Sequence, residues 1–331
     1  MHDHLPLRRQ HRPAQPGKLV DVSVIIVTRN TCALTCAAVR SVPAAAGSLT
    51  WEVIVVDNGS RDDTAGALVH EFPSVKLIRC ETNLGFARAC NLAVKQAQGA
   101  FLLLLNSDAR PQPGALAAAI EWMRAHSDCA VAGAQLLNPD GSRQNSIANF
   151  PTLATELLNK SLLRRLFPGR FPGKEHPFAG PVDVETVIGS FMLIRREVWD
   201  KLGGLDERFF FFLEETDFCR QVCRADFRVM HLPDVRVWHD QGQTAKQISP
   251  AARIEYWRSR YAYFKKHFGI GTQLVLFCGL LVRLFADALA SGLVAFLTIG
   301  NSRRWREKFA VHRALLAWHC RGCPKRLGLP R

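Results

Sequence analysis

Three acidic side chains beside an aromatic run form the most chemically suggestive segment of the chain. The segment 209–217 places Glu214, Glu215 and Asp217 directly after four phenylalanines and a leucine. A carboxylate crowded by apolar neighbours and like charge binds its proton more tightly than usual. Such a carboxylate is suited to act as a general base towards a hydroxyl group, and exposed aromatic rings stack on sugars. A helix that begins with acids next to core phenylalanines explains the same pattern equally well.

A second candidate is Asp57, which follows the strand-like segment Glu52–Val56. An ionised carboxylate only accepts hydrogen bonds, so it is a natural partner for the N3–H donor of uracil or thymine. An Asp after a strand more often caps the next helix. Ser60 and Asp62 are able to do that capping instead, which favours the nucleotide-binding interpretation.

A third candidate is the tripeptide Asn-Ser-Asp at 106–108, which ends the most apolar strand-like segment. The carboxylate of Asp108 is suited to hold Mg²⁺ or Mn²⁺ against a diphosphate, because these hard cations prefer oxygen ligands. The cation would stabilise a leaving nucleoside diphosphate. His239 ends a later strand, and a neutral imidazole is able to ligate the same metal. A simple turn and a structural histidine are the alternatives.

Strand-like and helix-like segments alternate between residues 20 and 250 and must position these groups. The strand-like segments are apolar without polar alternation, which is typical of strands buried in a parallel sheet. The alternation predicts an α/β fold with a mainly parallel central sheet flanked by helices. Ligands of such sheets gather at the carboxyl ends of the strands, where Thr28 and Asn30 join the two clusters above. The predicted strands are Val22–Thr28, Glu52–Val56, Val75–Arg79, Phe101–Leu105, Cys129–Leu136, Val182–Arg195, Phe227–His231 and Val235–His239; the predicted helices are Cys32–Val42, Asp62–Phe72, Phe86–Gln98, Gly114–Ala125 and Phe218–Ala225.

Positive charge is concentrated at both ends of the 331-residue chain, whose formal net charge is +14. Residues 251–331 hold 15 Lys and Arg against three acids, and residues 1–19 hold four bases against one acid. We therefore divide the chain into a disordered basic arm (1–19), a catalytic domain (20–250) and a basic, amphipathic helical C-terminal region (251–331). A nearly neutral body with basic ends does not resemble a nucleic-acid-binding groove. It suits a body docked on an anionic membrane surface.

An apolar tract at 270–299 lies inside the C-terminal region. Arg283 and Asp287 divide it into the apolar pieces Leu274–Val282 and Ala288–Ile299, each too short to span a bilayer. We expect a pair of amphipathic or re-entrant helices that lie in the membrane interface, followed by basic residues and a tryptophan at headgroup depth. A helical hairpin packed on the catalytic body is the alternative.

The compartment is predicted from cysteines and from the N-terminal segment. The ten cysteines show no paired metal-binding spacing, and residues 1–19 lack the apolar run of a signal peptide. Reduced thiols and a cytoplasmic location at the inner face of the cell membrane are therefore expected.

The sequence resembles the family 2 glycosyltransferases, particularly the rhamnosyltransferase-like members. Six segments match in the right order between about residues 22 and 245. They read VSVIIVTRN, EVIVVDNGSRDDT, TNLGFARACNLAV, LLLLNSDAR, VIGSFMLIRREVWDKLGGLDERFFFFLEETDFCRQV and VRVWHDQGQTA. The resemblance implies a GT-A fold and an inverting sugar transfer from a nucleotide-activated donor.

The resemblance also implies roles for individual residues. Glu215 matches the catalytic acid of the family and is expected to be the base, while Asp108 and His239 are expected to hold the metal. We expect the nucleotide-sugar to contact Thr28, Asn30, Asp57, Asn83, Gly85, Asn91 and Asn106. We expect the acceptor to contact Gly189, Asp206, Phe211, Glu214 and Asp217.

The sequence departs from the family pattern at several points. Asn106 replaces the first Asp of the D-x-D metal motif, which leaves Asp108 as the sole carboxylate there. The family's Glu-Asp pair is Glu214-Glu215 in this chain, so the expected base is one methylene longer. Arg29 stands where an aromatic or polar residue is commoner, and residues 88–90 replace a small glycine-containing stretch.

The resemblance suggests dTDP-rhamnose as donor, with another dTDP- or UDP-sugar second, and a lipid-linked saccharide or polysaccharide as acceptor. Two other classes remain open. A sugar-nucleotide nucleotidyltransferase usually begins with a glycine-rich loop, which VTRNTCALT lacks. A non-catalytic, membrane-docked sugar-nucleotide-binding protein is the other alternative. A nicotinamide dehydrogenase is disfavoured because no G-x-G-x-x-G follows the first strand.

Overall fold

The computed structural model describes residues 20–158, 160–167, 169, 178–240, 250–297 and 303–331. The predicted basic arm at 1–19 lies outside these residues. The strands are β1 (Val20–Thr28), β2 (Trp51–Asn58), β3 (Lys76–Cys80), β4 (Gly99–Asn106), β5 (Ala109–Pro111), β6 (Cys129–Leu137), β7 (Ile147–Ala148), β8 (Val182–Asp183), β9 (Thr186–Val187), β10 (Phe191–Arg195) and β11 (Arg228–His239). The helices are α1 (Cys32–Ala46), α2 (Thr64–Glu71), α3 (Phe86–Val94), α4 (Ala115–Ala125), α5 (Leu153–Leu157), α6 (Lys160–Leu166), α7 (Arg196–Leu202), α8 (Glu214–Arg224), α9 (Pro250–Leu297) and α10 (Arg303–Cys320).

A nine-stranded sheet forms the centre of the fold, in the order β3-β2-β1-β4-β10-β6-β11-β5, with β8 paired to β11. Strands β3, β2, β1 and β4 are parallel to one another, and β11 is parallel to β6. Strand β10 runs antiparallel between β4 and β6. The predicted α/β fold with a mainly parallel sheet is therefore confirmed. The prediction of one strand over 182–195 is wrong, because that segment forms the three separate strands β8, β9 and β10.

The apolar strands are buried on both faces, as their composition predicts. Along β4, Leu103 and Leu105 enter one hydrophobic cluster, while Leu102 and Leu104 enter the cluster on the opposite face. Each fully buried leucine contributes about 2 kcal/mol through the apolar surface that it removes from water. A strand that stabilises both layers in this way has no solvent side, which explains the absence of polar alternation in its sequence.

Strand β11 carries His239 to the edge of the sheet. The two strands predicted over 227–239 are one strand, whose register with β6 shifts between Leu232 and Arg236. Pro233 lies inside this shift and has no N–H to donate to a neighbouring strand, which accounts for the interruption. At its end β11 pairs with β5, and His239 stands opposite Ala109 in that register.

The C-terminal region differs from its prediction. Helix α9 has one break, at Gly269 with φ 84° and ψ 175°, and then continues without interruption to Leu297. The expectation of two separate helices is wrong because Arg283 and Asp287 pair with each other on the helix surface, with Nε and Oδ2 3.8 Å apart. By length and composition alone α9 is long and apolar enough to cross a membrane, a property that core helices of soluble proteins also show.

Candidate active site

The carboxyl ends of β1, β2 and β4 bring three predicted clusters to one edge of the sheet. In the parallel registers Thr28 stands opposite Asp57, and Val27 stands opposite Asn106. The hydroxyl of Thr31, just after β1, donates to Ser107 Oγ at 3.2 Å. This hydrogen bond connects the loop after β1 with the Asn-Ser-Asp tripeptide at the end of β4. The structure therefore brings these groups together although they are distant in sequence.

The loop around Asp57 is held by buried polar contacts. Asp57 is buried, and its Oδ1 accepts a hydrogen bond from the backbone N–H of Ser60 at 2.9 Å. The neighbouring Asn58 donates to Asn83 Oδ1 at 2.9 Å and to the carbonyl of Gly85 at 3.2 Å. Asn58 thus fixes the predicted nucleotide-binding loop beside Asp57, a role that the sequence analysis did not assign.

Gly85 is required where it stands. Its φ is +83°, and a Cβ atom there would lie 2.4 Å from the carbonyl oxygen of Phe210. The N–H of Phe86 donates to that same carbonyl at 2.8 Å, so the loop of Gly85 docks directly on the segment that precedes the acidic residues. The nucleotide-binding loop and the acidic segment are therefore one packed unit.

Other predicted nucleotide contacts hold protein segments together. Asn30 accepts a hydrogen bond from the N–H of Arg61 at 2.7 Å. Asn91 forms two hydrogen bonds with the backbone of Leu205, at 2.8 and 3.0 Å. Asn83 donates to the carbonyl of Pro330 at 2.8 Å, which brings residues near the C-terminus over this loop. Their contacts with a nucleotide remain predictions.

Asp108 and His239, the two expected metal ligands, lie side by side. The Nε2 atom of His239 is 3.4 Å from Oδ1 of Asp108 and 3.1 Å from the hydroxyl of Ser190. The amide nitrogen of Gln144 donates to the His239 carbonyl at 2.6 Å, so the amide oxygen faces Nδ1 at 2.9 Å. Nδ1 therefore carries the proton, and the lone pair at Nε2 faces Ser190 and Asp108. Asn106 donates to the same Ser190 hydroxyl at 3.2 Å.

This pair fits a divalent cation. A carboxylate oxygen and a nitrogen lone pair face each other at 3.4 Å, a spacing that suits two ligands each about 2.1 Å from one ion. Within the part of the chain that the structure describes, no group of three or more His, Cys, Asp or Glu side chains could hold a metal. Diphosphate oxygens and water would have to complete the coordination, as they commonly do for Mg²⁺.

The two-residue turn Gly189–Ser190 connects Glu215 to His239 of this pair. A Cβ atom built on Gly189 would lie 3.6 Å from both Cβ and Cγ of Glu215, so Gly189 packs on the stem of this side chain. The following residue, Ser190, contacts His239. Glu215 is half-buried, and its Oε2 is buried without a hydrogen-bond partner among the described residues. Burial raises the pKa of Glu215, while burial and the charge of Glu215 raise the pKa of Glu214 well above its usual value.

The aromatic run before the acids is mostly core. Phe209 and Phe210 are buried, and Phe211 is exposed, as a sugar-stacking residue would need. Phe212 and Leu213 have φ angles of 73° and 67°, a conformation that costs on the order of 1–3 kcal/mol for a residue with a side chain. The hydroxyl of Ser259 on α9 donates to the carbonyl of Phe211 at 2.8 Å and helps to hold this segment.

Asp206 and Asp217 are occupied by protein partners. Each accepts a hydrogen bond from Lys266 Nζ on α9 at 2.7 Å. The structure thus places Gly189 against Glu215, next to Glu214 in sequence, but uses these two aspartates to bind the C-terminal region. Their contacts with an acceptor remain predictions.

Ser190, Gln144 and Asn58 were missed by the sequence analysis. Ser190 follows the predicted Gly189 directly, and Asn58 follows Asp57, so proximity to a motif was a usable signal. Gln144 lies in a segment rich in Gly, Pro and Asn, and its place beside His239 depends on long-range folding that no local pattern shows.

The mainly parallel sheet, with antiparallel β10 at its centre and flanking helices, has the architecture of a GT-A glycosyltransferase. Residues 23–203, more than half of the chain, match the family model described as glycosyl transferase family 2. The chain therefore belongs to the family 2 glycosyltransferases, and its predicted family, fold and enzyme class are confirmed.

Relatives and solved structures agree with this assignment. The N-acetylglucosaminyl-diphospho-decaprenol L-rhamnosyltransferase of Mycobacterium tuberculosis is 27% identical over 236 residues, which cover 64% of this chain and 73% of the relative. The low-salt glycan biosynthesis hexosyltransferase Agl10 of Haloferax volcanii is 26% identical, over 63% of this chain and 66% of the relative. The mannosyltransferase PcManGT of Pyrobaculum calidifontis, solved with GDP-Man and Mn²⁺, has a TM-score of 0.52 at 16% identity, over 95% of this chain and 90% of that chain. S. aureus TarS has a TM-score of 0.51 at 17% identity, over 92% of this chain and 54% of that chain.

Proposed function

We propose that this glycosyltransferase moves a sugar, with rhamnose as the first candidate, from a dTDP- or UDP-sugar to a hydroxyl of a lipid-linked saccharide or polysaccharide. One observation carries the proposal. The Oε2 atom of Glu215 is buried and has no hydrogen-bond partner within the described part of the chain, next to the Gly189–Ser190 turn that contacts His239. A carboxylate with a raised pKa and an oxygen free of protein hydrogen bonds, linked through Gly189 and Ser190 to an expected metal ligand, has the properties of a general base in sugar transfer.

The proposed reaction is a single displacement with inversion. Glu215 removes the proton of the acceptor hydroxyl, and the freed oxygen forms a bond to the anomeric carbon. The bond from that carbon to the nucleoside diphosphate breaks in the same step, and the proton remains on Glu215. Asp108 and His239 would hold Mg²⁺ or Mn²⁺, which when bound would stabilise charge on the leaving diphosphate.

The pyrimidine donor is supported by Asp57, and the sugar and the acceptor by a relative. Asp57 lies at the carboxyl end of β2, beside the loop that Asn58 fixes. Uracil and thymine both carry an N–H donor at N3, and a carboxylate such as that of Asp57 is able to accept its hydrogen bond. The Mycobacterium relative is named an L-rhamnosyltransferase that acts on N-acetylglucosaminyl-diphospho-decaprenol, which makes rhamnose and a lipid-linked acceptor the first substrates to test.

The membrane location is supported by the surface of α9. Past Gly269 this helix turns one apolar face inwards and leaves another exposed, while α10 adds exposed Arg304 and Arg306. An exposed apolar helix face beside basic residues suits the inner face of a membrane, with the protein bound peripherally. The exposed large apolar residues of α9 past Gly269 are Ile270, Leu274, Val275, Val282, Phe285, Leu289, Leu293, Phe296 and Leu297.

The experiment is a transfer assay with separated products. Purified protein with Mn²⁺ is given dTDP-rhamnose, or a panel of dTDP- and UDP-sugars, and N-acetylglucosaminyl-diphospho-decaprenol. We expect nucleoside diphosphate release and a product whose anomeric configuration, read by NMR, is opposite to that of the donor. A product with the donor's configuration would rule out the single displacement, and absence of transfer from every pyrimidine donor would refute the donor class.

A further inference from the structure

We propose that Asp217, Lys266 and His267 form a buried clamp that positions the base Glu215, so that helix α9 is part of the catalytic machinery. The proposal rests on the proposed role of Glu215. Asp217 lies two residues after Glu215 on the first turn of α8, and its side chain is fully buried. Lys266 and His267 lie on α9, a separate part of the chain.

The buried carboxylate of Asp217 has three hydrogen-bond partners. Lys266 Nζ donates to Oδ2 at 2.7 Å, and Gln221 Nε2 donates to the same oxygen at 2.9 Å. His267 Nε2 lies 2.7 Å from Oδ1. A buried carboxylate with three partners is fixed in place, because each lost partner would leave charge unpaired in a dry environment. On the same helical turn, Glu215 has a buried oxygen to which none of the described residues donates a hydrogen bond, so it is the opposite case.

The proton of His267 is placed by Arg224. A guanidinium group only donates hydrogen bonds, and Arg224 NH1 lies 3.0 Å from Nδ1 of His267. Nδ1 is therefore the acceptor, and the proton at Nε2 is donated to Asp217. Arg224 lies on α8 with Asp217, so the imidazole bridges two positions on α8 and makes α8 and α9 one unit.

Lys266 also holds the beginning of the base-bearing segment. Its Nζ donates to Oδ2 of Asp206 at 2.7 Å. Burial would raise the pKa of Asp206, but hydrogen bonds from Arg208 and Lys266 outweigh it and lower that pKa well below the usual value. One ammonium group thus joins both ends of residues 206–217.

The segment between these two anchors is the strained one. Phe212 and Leu213 have positive φ angles of 73° and 67° immediately before Glu214. Such a conformation persists only where surrounding contacts enforce it. Lys266 provides that constraint at both ends of the segment, and the clamp therefore sets where Glu215 stands relative to the Gly189–Ser190 turn.

The test compares two adjacent lysines. Lys266→Met removes the clamp, and Lys265→Met makes the same charge change at an exposed site one residue earlier. We expect Lys266→Met to lower kcat by about 100-fold, since displacements near 1 Å cost that much. The donor KM and the stabilisation by dTDP-rhamnose should stay within about twofold, and Lys265→Met should match wild type. Amide hydrogen exchange over 206–217 should accelerate in Lys266→Met alone.

A second pair of variants keeps the proposal falsifiable if Lys266→Met does not fold. His267→Gln retains an N–H donor for Asp217, whereas His267→Ala does not. We therefore expect kcat of His267→Gln to be at least about tenfold higher than kcat of His267→Ala. Wild-type kcat and exchange in Lys266→Met would overturn the clamp, as would equal losses in Lys265→Met. Failure of the proposed function is distinct, because wild type itself would then show no transfer or Glu215→Gln would remain active.

Discussion

The Nε2 atom of His239 lies 3.4 Å from the Oδ1 atom of Asp108, at the edge of the sheet where β5 and β11 pair. Strand β5 begins directly after Asp108, and β11 ends at His239, so the strand pairing itself brings the two side chains together. Gln144 determines which nitrogen of the imidazole carries the proton. The proposed metal binding by this pair would therefore depend on a residue that touches neither metal nor substrate in the proposed mechanism.

Replacing Gln144 tests that dependence. Gln144→Leu removes the acceptor for the Nδ1 proton, which is then free to move to Nε2 and block the metal-facing lone pair. We expect the Mn²⁺ concentration for half-maximal activity to rise about 10–100-fold, the usual cost of losing such a supporting contact. Gln144→Glu, which keeps an acceptor, should be less affected, and Gln98→Leu at an exposed site should behave as wild type. An unchanged metal response in Gln144→Leu would refute this role.

The pH dependence of turnover follows from Glu215. Burial raises its pKa above the ordinary glutamate value of about 4.3. A general base must be ionised, so kcat should increase with pH and its acid limb should lie above that ordinary value. The measurement is kcat against pH at saturating donor and acceptor. An acid limb at the ordinary glutamate pKa would show that the group that titrates is not a buried carboxylate.

Ionisation of Glu214 should lower the stability of the folded protein as the pH rises. Burial and the charge of Glu215 hold its folded-state pKa well above the unfolded value, so the fold favours its neutral form. Stability from this source is complete below the unfolded pKa and is lost as pH rises through the folded pKa, at about 1.4 kcal/mol for each unit of difference. Glu214→Gln should therefore unfold at a higher temperature than wild type at pH 8 and at a similar one at pH 4. The control is Glu121→Gln at an exposed site, where the difference should be absent at both pH values. A destabilised Glu214→Gln at pH 8 would contradict the buried pair.

The exposed face of α9 should bind anionic membranes. Phe285→Gln combined with Phe296→Gln removes two exposed aromatic rings from that face. Since burying one such side chain contributes about 1.5–3 kcal/mol, we expect partition into vesicles containing phosphatidylglycerol to fall at least about 100-fold. The matched control combines Val69→Gln and Leu158→Gln, which are also exposed but lie outside the C-terminal region. Flotation that is unchanged in the aromatic double variant, or equally weak in the control, would contradict membrane docking by α9.

The strands were predictable where burial leaves a direct mark on composition. The run of leucines in β4 contacts clusters on both faces, and a sequence without polar alternation indicates that situation. Strand direction has no such mark, so the antiparallel β10 and the split of 182–195 were not foreseen. The continuity of α9 was missed because Arg283 and Asp287, treated as interruptions, pair with each other at one helical face.

The site was predictable at its motifs and unpredictable in its supporting contacts. Asp57 and His239 lie at the carboxyl ends of β2 and β11, and Asp108 lies in the turn that follows β4. The rule that ligands gather at carboxyl ends was sufficient to expect them near one another. The partners of Asp217 on α9 depend on how a distant helix docks, and no pattern near Asp217 indicates it. An acidic residue in a motif is therefore not necessarily open to substrate.

The most direct test of the central claim is Glu215→Gln, which keeps the shape of the side chain and removes its charge. With dTDP-rhamnose, Mn²⁺ and the lipid-linked acceptor, turnover should fall by about 10²–10⁴-fold, the usual contribution of a general base. Thermal stabilisation by the donor should remain as in wild type, because Glu215 has no proposed contact with the nucleotide. Turnover within a few-fold of wild type would contradict the account and remove Glu215 from the reaction.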